Sequence, residues 1–240
     1  MPFFTGRLFR SLKRLYIRYY QTGFIRRRIV KKFHKLYYYV PHPDAPIRDI
    51  TWHQTFWFGV PIQKNPFDLW LYHEIFVELK PDVVIECGTA DGGSASFFAS
   101  MFDLIGKGRI ISVDIEKKKR PVHRRITYVT GSSIDPAVVE KVKALIKKTE
   151  KRILVILDSD HSRGHVLEEM RCYGPLVSRN SYMVVEDSNL NGHPVMPHWG
   201  EGPLEAIRDF LKENDKFEID RSREKFYMTF NPSGYLKRIR

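Results

Sequence analysis

A parallel β-sheet with helices on both faces, finished by an antiparallel hairpin, is the fold that this sequence predicts. Three observations lead there. Short β-branched apolar runs recur through the middle of the chain, helix-length segments separate them, and the first run opens into a glycine-rich turn. Strands are expected at 83–86, 109–113, 126–129, 153–157 and 182–185, with helices at 94–104, 136–148 and 165–176 between them.

Before the first strand, 66–79 reads as a helix, because Leu69, Trp70, Tyr72, Ile75, Phe76 and Leu79 share one face at helical spacing. The preceding stretch 52–66 is aromatic-rich and irregular, and 40–46 carries three prolines and reads as a linker. After the fifth strand the pattern changes. A helix is expected at 204–213, then strands at 216–220 and 225–230 paired as the hairpin. With 240 residues the chain can bury the core of one full α/β domain. It divides into a basic arm and linker, 1–43, and a catalytic-type domain, 44–240.

Charge separates the same two parts. Residues 1–43 hold eleven Lys or Arg and no acid, whereas the other 29 basic residues face 28 acidic ones. Basicity therefore belongs to the arm, and the near-neutral body disfavours a nucleic-acid groove. On a helical wheel of 3–20, Leu8, Phe9, Leu12, Leu15, Tyr16, Tyr19 and Tyr20 oppose Arg7, Arg10, Lys13, Arg14 and Arg18. Arg26, Arg27, Arg28, Lys31 and Lys32 continue the basic pattern to about Tyr39. That pattern suits peripheral membrane contact through residues 3–39; packing on protein is the alternative. No apolar run approaches the length that spans a bilayer, the N-terminus lacks the apolar core of a secretory signal, and Cys87 and Cys172 read as reduced core thiols. The expected location is cytoplasmic, with peripheral contact at the inner face of the membrane.

The residues at the strand ends carry the chemistry, since ligands of open parallel sheets bind beyond the carboxyl ends. The first strand ends in Glu86-Cys87-Gly88-Thr89-Ala90-Asp91-Gly92-Gly93-Ser94. Its glycine spacing is not that of dinucleotide enzymes, and no Lys-Ser/Thr follows for a triphosphate. An acid before the first glycine suits a ligand with a cationic or hydroxyl-rich edge, such as S-adenosylmethionine. Glu86, Gly88, Thr89, Gly92 and Ser94 are thus candidate cofactor contacts. Asp114, ending the second strand, is placed to accept the ribose hydroxyls, and Ser132, after the third, suits the adenine edge.

The fourth strand runs into Asp158-Ser159-Asp160-His161 and the fifth into Glu186-Asp187. Four carboxylates at one rim would repel each other without a cation, and an oxygen-only set suits Mg²⁺. Asp158, Asp160, Glu186 and Asp187 are the candidate ligands. Asp158 is also a candidate contact to the cofactor and, with His161 as general base, a candidate catalytic residue. The alternative is that Asp158 and Asp160 cap the next helix and that Glu186 pairs with Arg163 or Arg179. The long loop that follows, with His193, His198 and Trp199, reads as a substrate wall or lid.

From 52 to 238 the chain resembles the family that joins rhamnosyl O-methyltransferases with enzymes named cephalosporin hydroxylases. The resemblance rests on Asn65-Pro66-Phe67-Asp68, Ile85-Glu86-Cys87-Gly88, Gly92-Gly93-Ser94, Leu157-Asp158-Ser159-Asp160-His161, Val185-Glu186-Asp187 and Gly200-Glu201-Gly202-Pro203. It implies a Rossmann-like class I methyltransferase fold, a seven-stranded sheet with an antiparallel last strand, and Mg²⁺-dependent O-methyl transfer from S-adenosylmethionine. It places Glu86, Gly88 and Ser94 in the cofactor loop and Asp114 at the ribose. It puts one or both of Asp158 and Asp160, with Glu186 and Asp187, on the metal. The expected partner is a saccharide, on a glycolipid or surface glycan; homo-oligomerisation is left open. The competing readings are an RNA methyltransferase tethered by the arm and a hydroxylase-like or non-catalytic membrane-associated module.

Overall fold

The computed structural model describes residues 23–40 and 50–240. The amphipathic segment 3–20 and nearly all of the linker lie outside the described residues. The central sheet contains β3 (Val83–Cys87), β4 (Arg109–Asp114), β5 (Ile126–Thr130), β6 (Ile153–Leu157), β7 (Tyr182–Val185), β8 (Phe217–Ile219) and β9 (Tyr235–Arg238). Their order is β5-β4-β3-β6-β7-β9-β8. The first five run parallel, and β9 is antiparallel to both β7 and β8. The chain leaves β3 toward β4 on one side and returns to β6 on the other, which places the switch in strand order, and hence the crevice, at the end of β3.

Both faces of the sheet are covered, which is why its strands read as continuous apolar runs. Alternation sorts them between two cores. Val83, Ile85 and Cys87 of β3, with Val155 and Leu157 of β6, pack against α4 (Pro136–Leu145), α5 (Arg163–Tyr173) and α6 (Pro203–Glu213). Val84, Leu154 and Ile156 face α2 (Pro66–Leu79) and α3 (Gly93–Ile105), where Phe76, Phe98 and Phe102 interlock at ring separations of 5.0–5.2 Å. Local chemistry sets the helix starts. The Asn65 and Asp135 side chains accept from the N–H groups of Phe67 and Ala137, and a proline occupies the first turn of α2 and α4. Cys87 and Cys172 are free thiols, the first buried.

A two-stranded hairpin, β1 (Phe56–Trp57) and β2 (Val60–Pro61), precedes α2. Trp57 donates to Ser100 Oγ at 3.1 Å and packs edge-on to Phe97, so the hairpin sits on the first turns of α3. Here only glycine fits: a Cβ on Gly93 would lie 2.1 Å from the Pro61 carbonyl oxygen. The segment is thereby pinned beside the sheet's carboxyl edge, which delivers Gln63 and Lys64 to the site.

The expected hairpin needs a correction. Its first strand is β8, but its second is β9, and 225–230 is not a strand. That stretch is drawn over the start of α2 instead. Met228 O accepts from Asn65 Nδ2, while Thr229 Oγ1 and Phe230 N donate to the buried Asp68 carboxylate. The helix expected to Lys148 ends at Leu145.

The described part of the arm is α1 (Gly23–Tyr39). Phe33 meets Phe67, Tyr37 and Tyr38 meet Phe230, and Tyr38 stacks on Trp52 at 5.4 Å. His34, only 1 % exposed, lies at the centre of this contact. The aromatic face of α1 thus packs on the body, and its basic residues point outward.

Candidate functional site

A cleft of about 640 Å³ runs along the carboxyl edge from β5 across to β7. Its donor half is built from backbone. At Gly88 the chain turns with φ +94°, and a Cβ there would stand 1.8 Å from the Asp158 carbonyl oxygen. Only glycine allows β3 to end that close to β6. The N–H groups of Thr89 and Ala90 donate to Asp114 Oδ2 at 3.0 and 2.8 Å, and Glu116 N donates to Oδ1. Asp114 therefore fixes the turn from the neighbouring strand while keeping a place on the cleft wall, with the Arg120 guanidinium 3.2 Å away.

Gly88, Thr89, Ser94, Asp114, Ser132 and Asp158, all expected at the cofactor, line this cleft. Glu86 and Gly92 do not, which corrects the expectation for those two. Alternation along β3 turns Glu86 under the loop, where it is fully buried and its Oε2 accepts from Ser112 Oγ at 2.5 Å. Ser112 Oγ in turn lies 2.6 Å from Thr89 Oγ1. Burial pushes the Glu86 carboxyl up to about 7, and its second oxygen has no partner. Gly92 caps α3 against Tyr128 and Pro121.

Beside Ser132 is a network that sequence reasoning missed. Ser133 and Ser159 donate to Glu169 Oε1 at 2.5 and 2.6 Å, and both hydroxyls lie within 3.2 Å of His165 Nε2. The bond to Glu169 holds the His165 imidazole above its ordinary pKa. Ser133, Ser159 and His165 all face the cleft. The serines stand at strand ends, but nothing in the sequence marks Glu169 as their partner ten residues or more away.

The other half of the cleft is electrostatic. One ligand atom each of Asp158, His161 and Asp187 lie within 4.8 Å of one another. His161 Nε2 is 3.2 Å from Asp187 Oδ2, and Asp187 adopts φ +53°, a backbone state uncommon for a side-chain-bearing residue. Its N–H is held by Asn231 Oδ1.

Glu186 stands apart from this trio. Lys64, missed in the sequence because an isolated lysine has no periodic signal, reaches across to bond Asp158 Oδ2 at 2.5 Å and Glu186 Oε2 at 2.7 Å. Tyr72 donates to Glu186 Oε1 at 2.6 Å. Glu186 pairs with neither Arg163, which binds Glu201 and Asp209, nor Arg179. Asp160, exposed on the cleft wall, accepts from Ser162 N at 2.7 Å just ahead of α5; the Ser162 hydroxyl and this backbone bond lower its pKa. Of the four carboxylates expected to converge, Asp158 and Asp187 meet the His161 imidazole, Lys64 bridges Asp158 and Glu186, and Asp160 bonds the backbone just ahead of α5.

Burial raises the pKa of Asp158, Glu186 and Asp187, and their mutual repulsion adds to it. For Lys64 burial acts the other way, but Asp158 and Glu186 outweigh it and hold the ammonium protonated. One ammonium against three carboxylates leaves negative charge over. Carboxylate oxygens are the donors a hard divalent ion accepts, so Asp158 and Asp187 fit Mg²⁺, with the His161 imidazole beside them rather than in the ligand set. Trp199 lies beside His161, their rings 6.5 Å apart, and its Nε1 donates to the His161 carbonyl at 3.4 Å. His193 is engaged by Glu205 at 2.8 Å.

Comparisons with known proteins place the chain in a family. Residues 49–239 match the family model described as rhamnosyl O-methyltransferase/CmcI. The rhamnosyl O-methyltransferase of Mycobacterium leprae is 42% identical over 216 residues, covering 88% of this chain and 90% of that protein. That of Mycobacterium tuberculosis is 42% identical over 218 residues, 88% and 85% of the two chains. A solved structure of CmcI with Mg and S-adenosylmethionine superposes with a TM-score of 0.62 at 20% identity, over 82% of each chain. MycE, a methyltransferase of mycinamycin biosynthesis solved with Mg, S-adenosylhomocysteine and mycinamycin VI, gives 0.53 at 16%, over 88% of this chain and 54% of its own. The chain belongs to the rhamnosyl O-methyltransferase/CmcI family, and it is an S-adenosylmethionine-dependent O-methyltransferase of the class I fold.

Proposed function

We propose that the protein methylates a hydroxyl of a saccharide, a rhamnosyl unit of a glycolipid or surface glycan, using S-adenosylmethionine and Mg²⁺. The observation that carries the reading is the meeting of Asp158, His161 and Asp187 at the end of the donor cleft. The 42% identical rhamnosyl O-methyltransferases support the sugar, and the CmcI and MycE structures, both solved with Mg, support the ion. Asp158 and Asp187 would hold Mg²⁺, with Glu186 and Lys64 setting the charge behind them. Mg²⁺ bound there would lower the pKa of an acceptor hydroxyl.

The remaining work falls to the chain. The turn from Gly88 to Ala90, fixed by Asp114, would hold the donor beside the acid half. His161 takes the acceptor proton at Nε2, and Asp187 stabilises the imidazolium that results. The oxygen–carbon bond forms as the sulfur–carbon bond breaks, leaving S-adenosylhomocysteine and a proton on His161. Positioning supplies most of the rate, because a methyl sulfonium is already reactive. Trp199 offers a flat apolar wall to a sugar ring.

The test is incubation with labelled S-adenosylmethionine and rhamnosyl glycolipids, with Mg²⁺ or with EDTA. Label should enter the glycolipid, EDTA should stop it, and Mg²⁺ should restore it. Transfer that is indifferent to EDTA would overturn the metal role, and transfer to RNA alone would overturn the acceptor.

A further inference from the structure

We propose that the outward face of α1 is a docking surface for an anionic lipid bilayer, placed so that the acceptor end of the cleft opens beside the membrane. The proposal rests on the reading of a lipid-borne acceptor and adds to it where that acceptor is met. Its first support is composition. From Gly23 to Tyr39 the helix carries Arg26, Arg27, Arg28, Lys31, Lys32 and Lys35 and no acid. All six are exposed. No acidic side chain is recorded pairing with any of them among the described residues.

The second support is apolar side chains among those charges. Phe24 is 63 % exposed and Leu36 64 %, with Ile29 at 40 %. Ile29 and Leu36 are seven residues apart, so they fall on one line of the helix, and Lys32 lies between them. The aromatic face is already used: Phe33, His34, Tyr37 and Tyr38 pack on the body. What remains outside is apolar and cationic together, and a water-facing helix needs only the second. An interfacial helix needs both, the apolar groups entering the headgroup region and the cations meeting lipid phosphates. The surface continues onto the body through the exposed Tyr227, under the Arg26 guanidinium at 5.0 Å.

The third support is position. The C-terminal end of α1 abuts the cleft: Tyr38 stacks on Trp52, which lines it, and Tyr39 Oη accepts from Met196 N in the loop that carries Trp199. A bilayer against α1 would therefore lie beside the mouth where a sugar must enter. An RNA tether would need cations but not Phe24, Ile29 and Leu36.

Vesicle sedimentation of the full chain, without donor or acceptor, tests this apart from catalysis. Phosphatidylcholine vesicles with and without phosphatidylglycerol are the probes, at about 0.1 M salt. Binding to the anionic vesicles only is expected. The variant Arg28→Glu/Lys32→Glu/Lys35→Glu should bind at least about a hundredfold more weakly, since each cation near such a surface contributes about fivefold or more. Ile29→Ser/Leu36→Ser should also weaken binding by about tenfold while leaving methyl transfer to a water-soluble rhamnoside unchanged. Wild-type protein that ignores anionic vesicles, variants that bind them as the wild type does, or binding to RNA in place of vesicles would each overturn the proposal. Failure to methylate a rhamnoside, with vesicle binding intact, would instead count against the acceptor alone.

Discussion

The two halves of the cleft are made in different ways. In the donor half, glycine turns shape the wall, and the Thr89 and Ala90 N–H groups satisfy Asp114 at 2.8–3.0 Å. In the acid half, side chains that repel one another are forced together and a lysine from before the sheet is brought in to offset them. The first half is organised before anything binds. The second holds charge that a cation would relieve, and its stability and activity should respond to ions when the donor half does not.

The sharpest break between the halves should come from Asp187→Ala. We expect turnover to fall by about a thousandfold or more, with S-adenosylmethionine affinity changed by less than about threefold in calorimetry, because each half acts on its own ligand. Equal loss of both would show that the halves are not separable. His161→Ala should cost about a hundredfold to ten-thousandfold in kcat and remove the acid limb of the pH–rate profile. A profile unchanged in shape would remove His161 as the base.

Lys64→Met probes the same asymmetry through stability. Deleting one partner of a buried ionic group costs about 3–5 kcal/mol, here by leaving Asp158 and Glu186 unopposed. The variant should unfold at lower temperature, and Mg²⁺ should raise its Tm by more than it raises that of the wild type. A Tm indifferent to both the substitution and Mg²⁺ would mean that the acid half is neutralised some other way.

The smallest effect concerns the docking of α1. Burial pushes His34 from 6.5 down to about 4. The unfolded chain then takes up the proton first as pH falls, so folded-state stability declines between about 6.5 and about 4. At 1.36 kcal/mol per unit the loss is about 3 kcal/mol. Against His34→Gln, the wild type should lose that much relative stability from pH 7 to pH 4, measured by denaturant unfolding. Parallel curves would show that His34 is hydrated when folded.

How much of this was legible in the sequence follows the same division. The strand ends of the donor half could be read in order, because each glycine or acid directly follows an apolar run and the parallel sheet puts all such ends on one edge. Which of those residues face the ligand could not. Glu86 looked like a contact but lies beneath the loop, since strand alternation turns it away. Asp160 and Asp158 were indistinguishable as neighbours in one motif, yet the fold gives the first a backbone bond from Ser162 and the second a buried lysine. The strand expected at 225–230 was lost for a related reason. The donors of Thr229 and Phe230 meet a buried carboxylate 161 and 162 residues away, and that contact outweighs local β-propensity.

By itself the sequence determined the layer architecture, the edge on which the site lies, the residue types gathered there and the separation of a basic arm from a neutral body. Those properties come from hydrophobic period, turn chemistry and charge, which act over a few residues and need no knowledge of the rest of the chain. Only the tertiary structure decided that Lys64 neutralises Glu186, that His161 joins Asp158 and Asp187, and that α1 packs by its aromatic face and leaves its cations outside. Lys64 finds carboxylates 94 and 122 residues away and His34 meets Phe230 from the far end of the chain; each group has many formally equivalent partners, and packing alone selects among them.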